Sequence, residues 1–344
     1  MKYNLADVCV RLSSGKGIPA KKIESSGRFP VYGGNGLRGY TKQSNFDGEC
    51  AIIGRQGAFC GNVRFFSGKA YMTEHAIVAV ANKDHNTRYL AYLLSTMSLG
   101  HLSAQSAQPG LSVKTLSKVT VDLPSKEEQD KAVSILSSLE DKIAKNSKIN
   151  DNLEQQAQAI YCDLFITNAN PSWQLGRLSD LITVRYGKDH KKLADGIYPV
   201  YGSGGIMRYV EKPLYDKESV LIPRKGTLNN VMYVNKTFWS VDTMFFTEMK
   251  LPNVAKFVFH FVKSKDLASL NAGSAVPSMT TDILNAMELP IPDADTFYRF
   301  ENIVAPLYQA MQQNTQESSK LAELRDSLLP RLMSGELDVS SIDL

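Results

Sequence analysis

The chain has 344 residues, which is enough for two domains that each bury a hydrophobic core. Its 39 lysines and arginines against 35 acidic residues give a net charge of +4, which permits nucleic-acid binding without requiring it. It has no apolar run of 18 residues, no apolar leader at its start and no CxxC pair. These features exclude a membrane span and a disulfide-rich secreted fold, and they predict a cytoplasmic protein with reduced thiols.

Residues 1–124 predict a β-rich domain. Short runs of β-branched and aromatic residues lie at 50–54, 62–66 and 76–80, with glycine and asparagine between them. One amphipathic segment, residues 88–97, predicts a helix. The domain closes with VTVDLP, which ends at Pro124.

A long helix is predicted over residues 125–167. Ser125 and Glu128 lie three residues apart, which is the capping-box pattern of a helix start. Apolar residues then recur at alternating steps of four and three, so that they form the stripe of a heptad repeat. A helix of about 40 residues is ~60 Å long. A helix of that length needs a partner to bury its apolar stripe.

After a linker at 168–172, the first domain recurs over residues 168–292. The segment FPVYGGNGLRGY begins at Phe29, and its match YPVYGSGGIMRY begins at Tyr198. IIGRQGAF at 52–59 recurs in the same way as LIPRKGTL at 221–228. A repeat of this size indicates duplication of a whole domain and not a solenoid.

The second copy also ends in a long helix, which with the C-terminal tail covers residues 293–336. Its apolar stripe repeats that of the first helix, and both stripes have a polar centre. Pro306 is expected to kink it, and Arg325 occupies a heptad position. The positions predicted to join the two helices are Leu136, Leu139, Ile143, Asn146, Asn150, Leu153, Leu307, Met311, Asn314, Ser318, Leu321 and Leu328.

The connectivity predicts that the two helices pack antiparallel around a two-fold axis, with one globular domain at each end. Facing residue numbers should then sum to about 464, so that Asn146 faces Ser318 and Asn150 faces Asn314. Such a polar layer fixes the register of a helix pair at some cost in stability. The C-terminal segment would end beside the N-terminus. The alternative is two amphipathic helices that lie on separate cores.

No motif of a catalytic or cofactor-binding site is present. Gly34, Gly36 and Gly39 match GxGxxG, but no crossover helix follows, so a glycine-rich turn between Tyr32 and Tyr40 is the better interpretation. Walker A, zinc-ligand, GxSxG, HExxH, methyltransferase and nuclease motifs are all missing. The sequence predicts a protein without catalytic residues, metal or cofactor of its own.

Basic and amide side chains beside small residues remain as candidates for function. Arginine, lysine, asparagine and glutamine contact base edges and phosphates in protein–DNA complexes. Turns of soluble proteins are also often basic, so any one of these residues could be an ordinary surface residue. Because the pattern occurs in both copies, it favours a DNA-binding role for the whole set more than for any single residue. The predicted DNA-binding residues are Lys16, Arg38, Arg55, Gln56, Lys188, Lys191, Lys192, Arg208, Arg224 and Lys225.

With these motifs the chain resembles the specificity (S) subunit of type I restriction-modification systems over essentially its whole length. The resemblance depends on the duplicated plan, the GRQG and PRKG turns, an S-A-x-P-x-x-S/T loop that ends at Ser112 and again at Thr280, and LLPRLMSGEL at 328–337. It implies an α+β fold: two β-rich target recognition domains joined by two long antiparallel coiled-coil helices with pseudo-two-fold symmetry.

The resemblance also implies function. Each globular domain would recognise one half of a split, asymmetric site in double-stranded DNA, with centres about 34–36 Å apart or a little more. The helices would dock two modification subunits, which bind S-adenosylmethionine and methylate adenine, and restriction subunits would join outside them. Alternatives are the specificity subunit of a fused type II (IIB- or IIG-like) enzyme and, more remotely, a coiled-coil scaffold that binds no nucleic acid.

Overall fold

The computed structural model describes residues 1–103, 110–270, 278–340 and 342. The chain divides into two compact units. Unit 1 contains Met1–Asn146 and Thr315–Leu344, and unit 2 contains Ser147–Asn314. Among the described residues, no helix has both the length and the apolar character that a membrane span needs.

The elements of unit 1 are β1 (Lys2–Asn4), β2 (Cys9–Ser14), β3 (Phe29–Gly33), β4 (Gly36–Thr41), β5 (Phe46–Gly54), β6 (Val63–Met72), β7 (Ala76–Ala81), α1 (Thr87–Thr96), α2 (Val113–Ser117), β8 (Thr120–Asp122) and α3 (Lys126–Cys162). Its main sheet has six strands in the order β2-β7-β5-β6-β3-β4, and β1 and β8 form a two-stranded sheet. All pairs are antiparallel except β3 with β6, which is parallel.

Unit 2 repeats this plan. The elements are β9 (Gln174–Arg177), α4 (Leu178–Leu181), β10 (Ile182–Tyr186), β11 (Asp195–Gly202), β12 (Gly205–Val210), β13 (Ser219–Pro223), β14 (Met232–Val234), β15 (Trp239–Ser240), β16 (Met244–Met249), α5 (Ala255–Lys263), α6 (Thr281–Asn285), β17 (Glu288–Ile291) and α7 (Ala294–Met333). Its sheets have the orders β10-β16-β13-β14, β12-β11-β15 and β17-β9.

The central strand of unit 1 supplies two cores because successive side chains point to opposite faces of a sheet. Ile53 packs on the face that α1 covers, and Ile52 packs on the other face, near the rings of Tyr32 and Phe66. In unit 2, Ile222 and Leu221 divide between two cores in the same way. The strands predicted at 50–54, 62–66 and 76–80 and the helix predicted at 88–97 are therefore confirmed.

The long helix α3 begins where the capping box predicts. The Ser125 backbone N–H donates to Glu128 Oε2 at 2.9 Å, and the Glu128 N–H donates to Ser125 Oγ at 3.3 Å. The Ser125 hydroxyl group also donates to Glu128 Oε2 at 2.6 Å, and this bond and the one from the Ser125 N–H lower the pKa of the Glu128 carboxyl group. The two bonds from backbone N–H groups satisfy donors at the helix start that have no partner within the helix.

Within each unit, one half of α3 packs on one half of α7, and the two run antiparallel. In unit 1, the buried Ala132 and Leu136 share a core with Leu332 and Met333. In unit 2, Tyr161 and Phe300 share a core, and their ring centroids lie 6.2 Å apart. Each core contains residues of both helices, so the alternative in which the helices lie on separate cores is wrong.

The predicted heptad positions are the ones that this pairing covers. Leu136 is fully buried, and full burial of a leucine side chain contributes about 1.5–3 kcal/mol. Pro306 does not interrupt α7, which is a single helix as far as Met333. The half-buried apolar heptad positions are Leu139, Ile143, Leu153, Leu307, Met311, Leu321 and Leu328.

The C-terminal segment lies beside the N-terminal residues within unit 1, as predicted. Val339 is buried in the same core as Leu5 and Val8. The Lys131 ammonium group donates to Ser340 O at 2.8 Å and so ties this segment to α3.

Candidate nucleic-acid interface

Arg55 lies in the turn that follows β5, and hydrogen bonds hold its backbone on both sides. Its N–H donates to His75 O at 3.0 Å, and its carbonyl accepts from the Leu111 N–H at 2.8 Å. The guanidinium Nη1 donates to Glu74 O at 3.3 Å. Within the described residues this is the one hydrogen bond of the guanidinium group, so further N–H groups remain for a ligand. The following residue, Gln56, is exposed.

Arg224 in unit 2 has the same contacts at the end of β13. Its N–H donates to Thr243 O at 2.9 Å, and its carbonyl accepts from the Met279 N–H at 2.9 Å. Its Nη1 donates to Asp242 O at 3.2 Å. The geometry around the two arginines thus agrees to within a few tenths of an ångström. Lys225, which follows Arg224, is exposed like Gln56.

A second turn, which follows β2, places Lys16 near the arginine turn, at the same end of the strands. The N–H groups of Gly15 and Lys16 donate to Ala76 O at 3.0 Å and to Met72 O at 2.9 Å. A Cβ atom on Gly15 would lie 2.1 Å from Met72 O, so only glycine fits there. Lys16 is exposed on a backbone that is fixed in place.

The lysine turn of unit 2 is built in the same way. The N–H groups of Gly187 and Lys188 donate to Met244 O at 3.0 Å and to Ser240 O at 2.8 Å. The carbonyl of Lys188 also accepts from Trp239 Nε1 at 2.9 Å. One backbone framework therefore occurs twice in the chain, and each copy presents an arginine and a lysine.

The glycine-rich segment forms a hairpin, as predicted, and not a nucleotide-binding loop. β3 and β4 are joined through Gly34 and Asn35. A Cβ atom on Gly34 would lie 3.0 Å from His75 O and 3.5 Å from Arg55 N. The hairpin tip therefore lies directly against the arginine turn.

The two hairpin arginines are not structural counterparts. Arg208 pairs with Val200 across its hairpin, and the residue at the matching place in unit 1 is Gly39. Arg38 comes one position earlier and matches Met207. A register shift in each hairpin falls at Arg38 and at Met207, so these two residues lie outside the cross-strand pairs, whereas Arg208 is within one.

Arg208 already has partners inside unit 2. Its Nη2 donates to Asp195 Oδ1 at 2.6 Å and to Leu193 O at 3.1 Å. The ion pair with Asp195 neutralises much of the field that Arg208 would present to a phosphate. The remaining predicted basic residues, Arg38, Lys191 and Lys192, are exposed.

Two further residues belong to these surfaces and were not predicted from the sequence. Arg64 on β6 is exposed, and its guanidinium carbon would lie 3.1 Å from a Cβ atom on Gly36, beside the hairpin tip. In unit 2, the guanidinium of Arg224 lies over the ring of Tyr186, 5.3 Å from its centroid. Their local pattern indicated only strands, and the contacts arise from pairing between distant segments.

The S-A-x-P part of each predicted loop falls at residues 106–109 and 274–277, outside the described residues. The residues that follow are described, and both bond to an arginine turn. Gln56 forms an isolated bridge with Gly110, and Lys225 forms one with Ser278. Each such loop therefore ends at the turn that carries Arg55 or Arg224.

The polar centre of the helix pair has the predicted register in both units. In unit 1, Asn146 Nδ2 donates to Ser318 Oγ at 3.2 Å and to Glu317 Oε2 at 2.7 Å. In unit 2, Asn314 Nδ2 donates to Asn150 Oδ1 at 2.9 Å. The hydrogen bond from Asn146 is the largest cause of the lowered pKa of the Glu317 carboxyl group.

Comparison with known proteins agrees with this duplicated plan. A putative type I specificity subunit of Mycoplasma pneumoniae is 23% identical over 343 residues, which cover 94% of this chain and 93% of that protein. The specificity subunit of the type I restriction enzyme EcoprrI of Escherichia coli is 40% identical over 131 residues, but these cover only 37% of this chain and 33% of that subunit.

The fold is also found in a solved structure. The crystal structure of the S subunit of a type I restriction-modification system from M. genitalium superposes with a TM-score of 0.65 at 18% identity, over 96% of this chain and 95% of that one. The sequence model of the type I restriction modification DNA specificity domain matches residues 1–155 and again residues 170–324. The chain therefore belongs to the type I restriction-modification DNA specificity domain family, with two copies of the domain.

Proposed function

We propose that this chain is the DNA-recognition subunit of a type I restriction-modification complex, in which each unit binds one half of a split target. The main support is the backbone framework that occurs in both units, with an arginine and a lysine on each copy. Arginine donates two parallel hydrogen bonds to the O6 and N7 atoms of guanine, and both side chains neutralise phosphates.

The proposed target is asymmetric, because the two frameworks carry different side chains. Gln56 follows the arginine in unit 1, and Lys225 follows it in unit 2. In unit 2, Tyr186 precedes Gly187, and its ring supports Arg224. In unit 1, the residue before Gly15 is Ser14, which has no ring. The same backbone with different contacting groups favours a different base sequence in each half.

The chain would act without catalytic residues of its own, in the cytoplasm, and with partners. Two modification subunits, each with bound S-adenosylmethionine, would dock on α3 and α7, and restriction subunits would join them. Such docking would cover the large apolar side chains that are exposed on these helices. They are Ile149, Tyr298, Ile303 and Leu324.

The direct test is to sequence methylated DNA from cells that express this chain with its modification subunits, and from cells that lack it. We expect one interrupted, asymmetric methylation motif that depends on the chain. Replacing residues 1–124 with the matching domain of a relative should change one half of the motif and leave the other half unchanged.

Other outcomes identify the alternatives. A contiguous motif, or a replacement that alters both halves, contradicts independent recognition by the two units. If the partner that methylates the target also cuts DNA, with both activities in one polypeptide, the chain is the specificity subunit of a fused type II enzyme. A complex with no DNA binding at all indicates a scaffold.

A further inference from the structure

Arg38 and Met207 occupy the same place in the two hairpins. A Cβ atom on Gly33 would lie 2.7 Å from Arg38 Cδ and 3.5 Å from Thr73 Oγ1. In unit 2, a Cβ atom on the matching Gly202 would lie 2.5 Å from Met207 Sδ and 3.8 Å from a methyl group of Val241. Each side chain therefore extends over a glycine of the neighbouring strand, towards the segment that contains Thr73 in unit 1 and Val241 in unit 2.

That segment is the one to which the arginine turn is bonded. Thr73 directly precedes Glu74 and His75, whose carbonyls hold Arg55. Val241 stands in the same relation to the carbonyls that hold Arg224. The side chains at 38 and 207 thus lie next to the proposed DNA-contacting arginines, at equal places in the two units.

The two side chains differ completely in chemistry. Arg38 is exposed and makes no hydrogen bond or ion pair among the described residues, so its five N–H groups are free for a ligand. Met207 is 60% exposed, and the adjacent Ile206 is 46% exposed. The same place in the two units therefore presents a cation in unit 1 and an apolar side chain in unit 2.

We propose that this hairpin position determines base specificity in both units, with Arg38 recognising guanine and Met207 recognising the methyl group of thymine. The inference rests on the proposed function and adds residue-level chemistry to it. Arginine pairs with O6 and N7 of guanine in the major groove, whereas apolar groups contact the thymine C5 methyl. The same backbone position would then select opposite base-pair types in the two half-sites.

The test uses the complete complex with its modification subunits and a library of target sequences with single base changes. Met207→Arg should shift the preference at one base pair of the unit 2 half-site from A·T towards G·C by about tenfold or more. Arg38→Met should remove a guanine preference of similar size in the unit 1 half-site. In each case the other half-site should stay unchanged. Replacement of residues 1–124 assigns the half-sites to the units.

Ile197→Arg is the matched control for charge. Ile197 is 77% exposed on β11, at the end of the hairpin away from the tip. The added cation should raise affinity for all sequences equally and change no base preference. Melting temperatures of all variants, compared with that of the unmodified chain, show whether they are folded.

Two results would overturn the inference. If Met207→Arg behaves like Ile197→Arg and leaves the motif unchanged, while the unmodified complex is sequence-specific, position 207 has no role in specificity. If the unmodified complex has no defined target, the proposed function fails and this inference fails with it.

Discussion

Asn314 donates a hydrogen bond of 2.9 Å from its side-chain amide to Asn150 Oδ1, and so joins α7 to α3 between apolar heptad layers. Asn150 in turn donates to the carbonyl of Met311 at 3.2 Å. Amides in a helix interface cost stability but oppose a shift of register, because a shifted pairing would place them against leucine.

This layer leads to a double-mutant prediction. Asn314→Leu alone should lower the free energy of unfolding by about 1–3 kcal/mol, because Asn150 loses a donor in a partly buried position. Asn150→Leu combined with Asn314→Leu should recover that loss or exceed the original stability, since both polar groups are gone. Urea unfolding of the three proteins measures the difference. Additive losses in the double variant would show that the two amides are not coupled.

Arg55→Ala and Arg224→Ala should each weaken DNA binding by the assembled complex. If the arginine contacts a base, we expect a loss of about 1–3 kcal/mol that is confined to one position of one half-site. If it contacts only phosphate, affinity should fall for all sequences. The slope of the logarithm of the binding constant against the logarithm of the salt concentration should then become shallower by about one. Titrations at several salt concentrations separate these cases. Unchanged affinity in folded variants would make both turns purely structural.

Tyr186 is expected to position Arg224. Removal of the ring in Tyr186→Ala should cost about 0.5–1 kcal/mol of DNA affinity, because the guanidinium loses its cation–π contact. Tyr186→Phe keeps the ring and should bind like the unmodified chain. Equal losses in the two variants would instead assign the effect to the tyrosine hydroxyl group. Arg224→Ala combined with Tyr186→Ala should be no worse than Arg224→Ala alone.

His260 should make unit 2 sensitive to acid. It is fully buried, its Nδ1 donates to Gln158 Oε1 at 2.7 Å, and its Nε2 accepts from the Tyr308 hydroxyl at 2.9 Å. Burial is the main cause that lowers the pKa of His260 to about 3, whereas the unfolded chain titrates near 6.5. The unfolded state therefore binds the extra proton between these values. The contribution of neutral His260 to the free energy of unfolding is therefore complete above pH 6.5. It is lost as the pH falls below that value, by at most about 1.4 kcal/mol for each pH unit.

The measurement is the melting temperature of unit 2 between pH 7.5 and 4.5. His260→Gln keeps one donor and one acceptor but does not titrate, so its curve should fall less steeply. Parallel curves for the two proteins would show that other groups, such as paired carboxylates, account for the acid sensitivity.

The helices and their register could be predicted from the sequence because the heptad stripe and the capping box are local signals. The step of four and three residues determines which face is buried, and the asparagines at 146, 150 and 314 identify the facing layers. The strands at 50–54 and 76–80 were predictable for a similar reason: they are buried on both faces and contain few polar residues.

The contacts of the candidate site were not predictable in the same way. Arg64 pairs with Ile52 across β5 and β6, close to the arginine turn against which the hairpin tip lies, and nothing in the local sequence of any of these segments encodes that contact. A register shift in each hairpin leaves Arg38 and Met207 outside the cross-strand pairs. Alignment of the repeats pairs Arg38 with Met207 and Gly39 with Arg208, but it gives no sign of this shift or of the glycine over which each side chain extends.

The framework around Arg55 and Arg224 consists almost wholly of main-chain hydrogen bonds, from the turns at Gly15 and Gly187 to Leu111 and Met279. Main-chain groups are the same in every residue except proline, so substitution of the exposed side chains leaves these bonds intact. Mutations there face little selection for folding, and selection on the recognised DNA can act on them almost alone. The surface can therefore diverge quickly between lineages while the scaffold beneath it changes slowly.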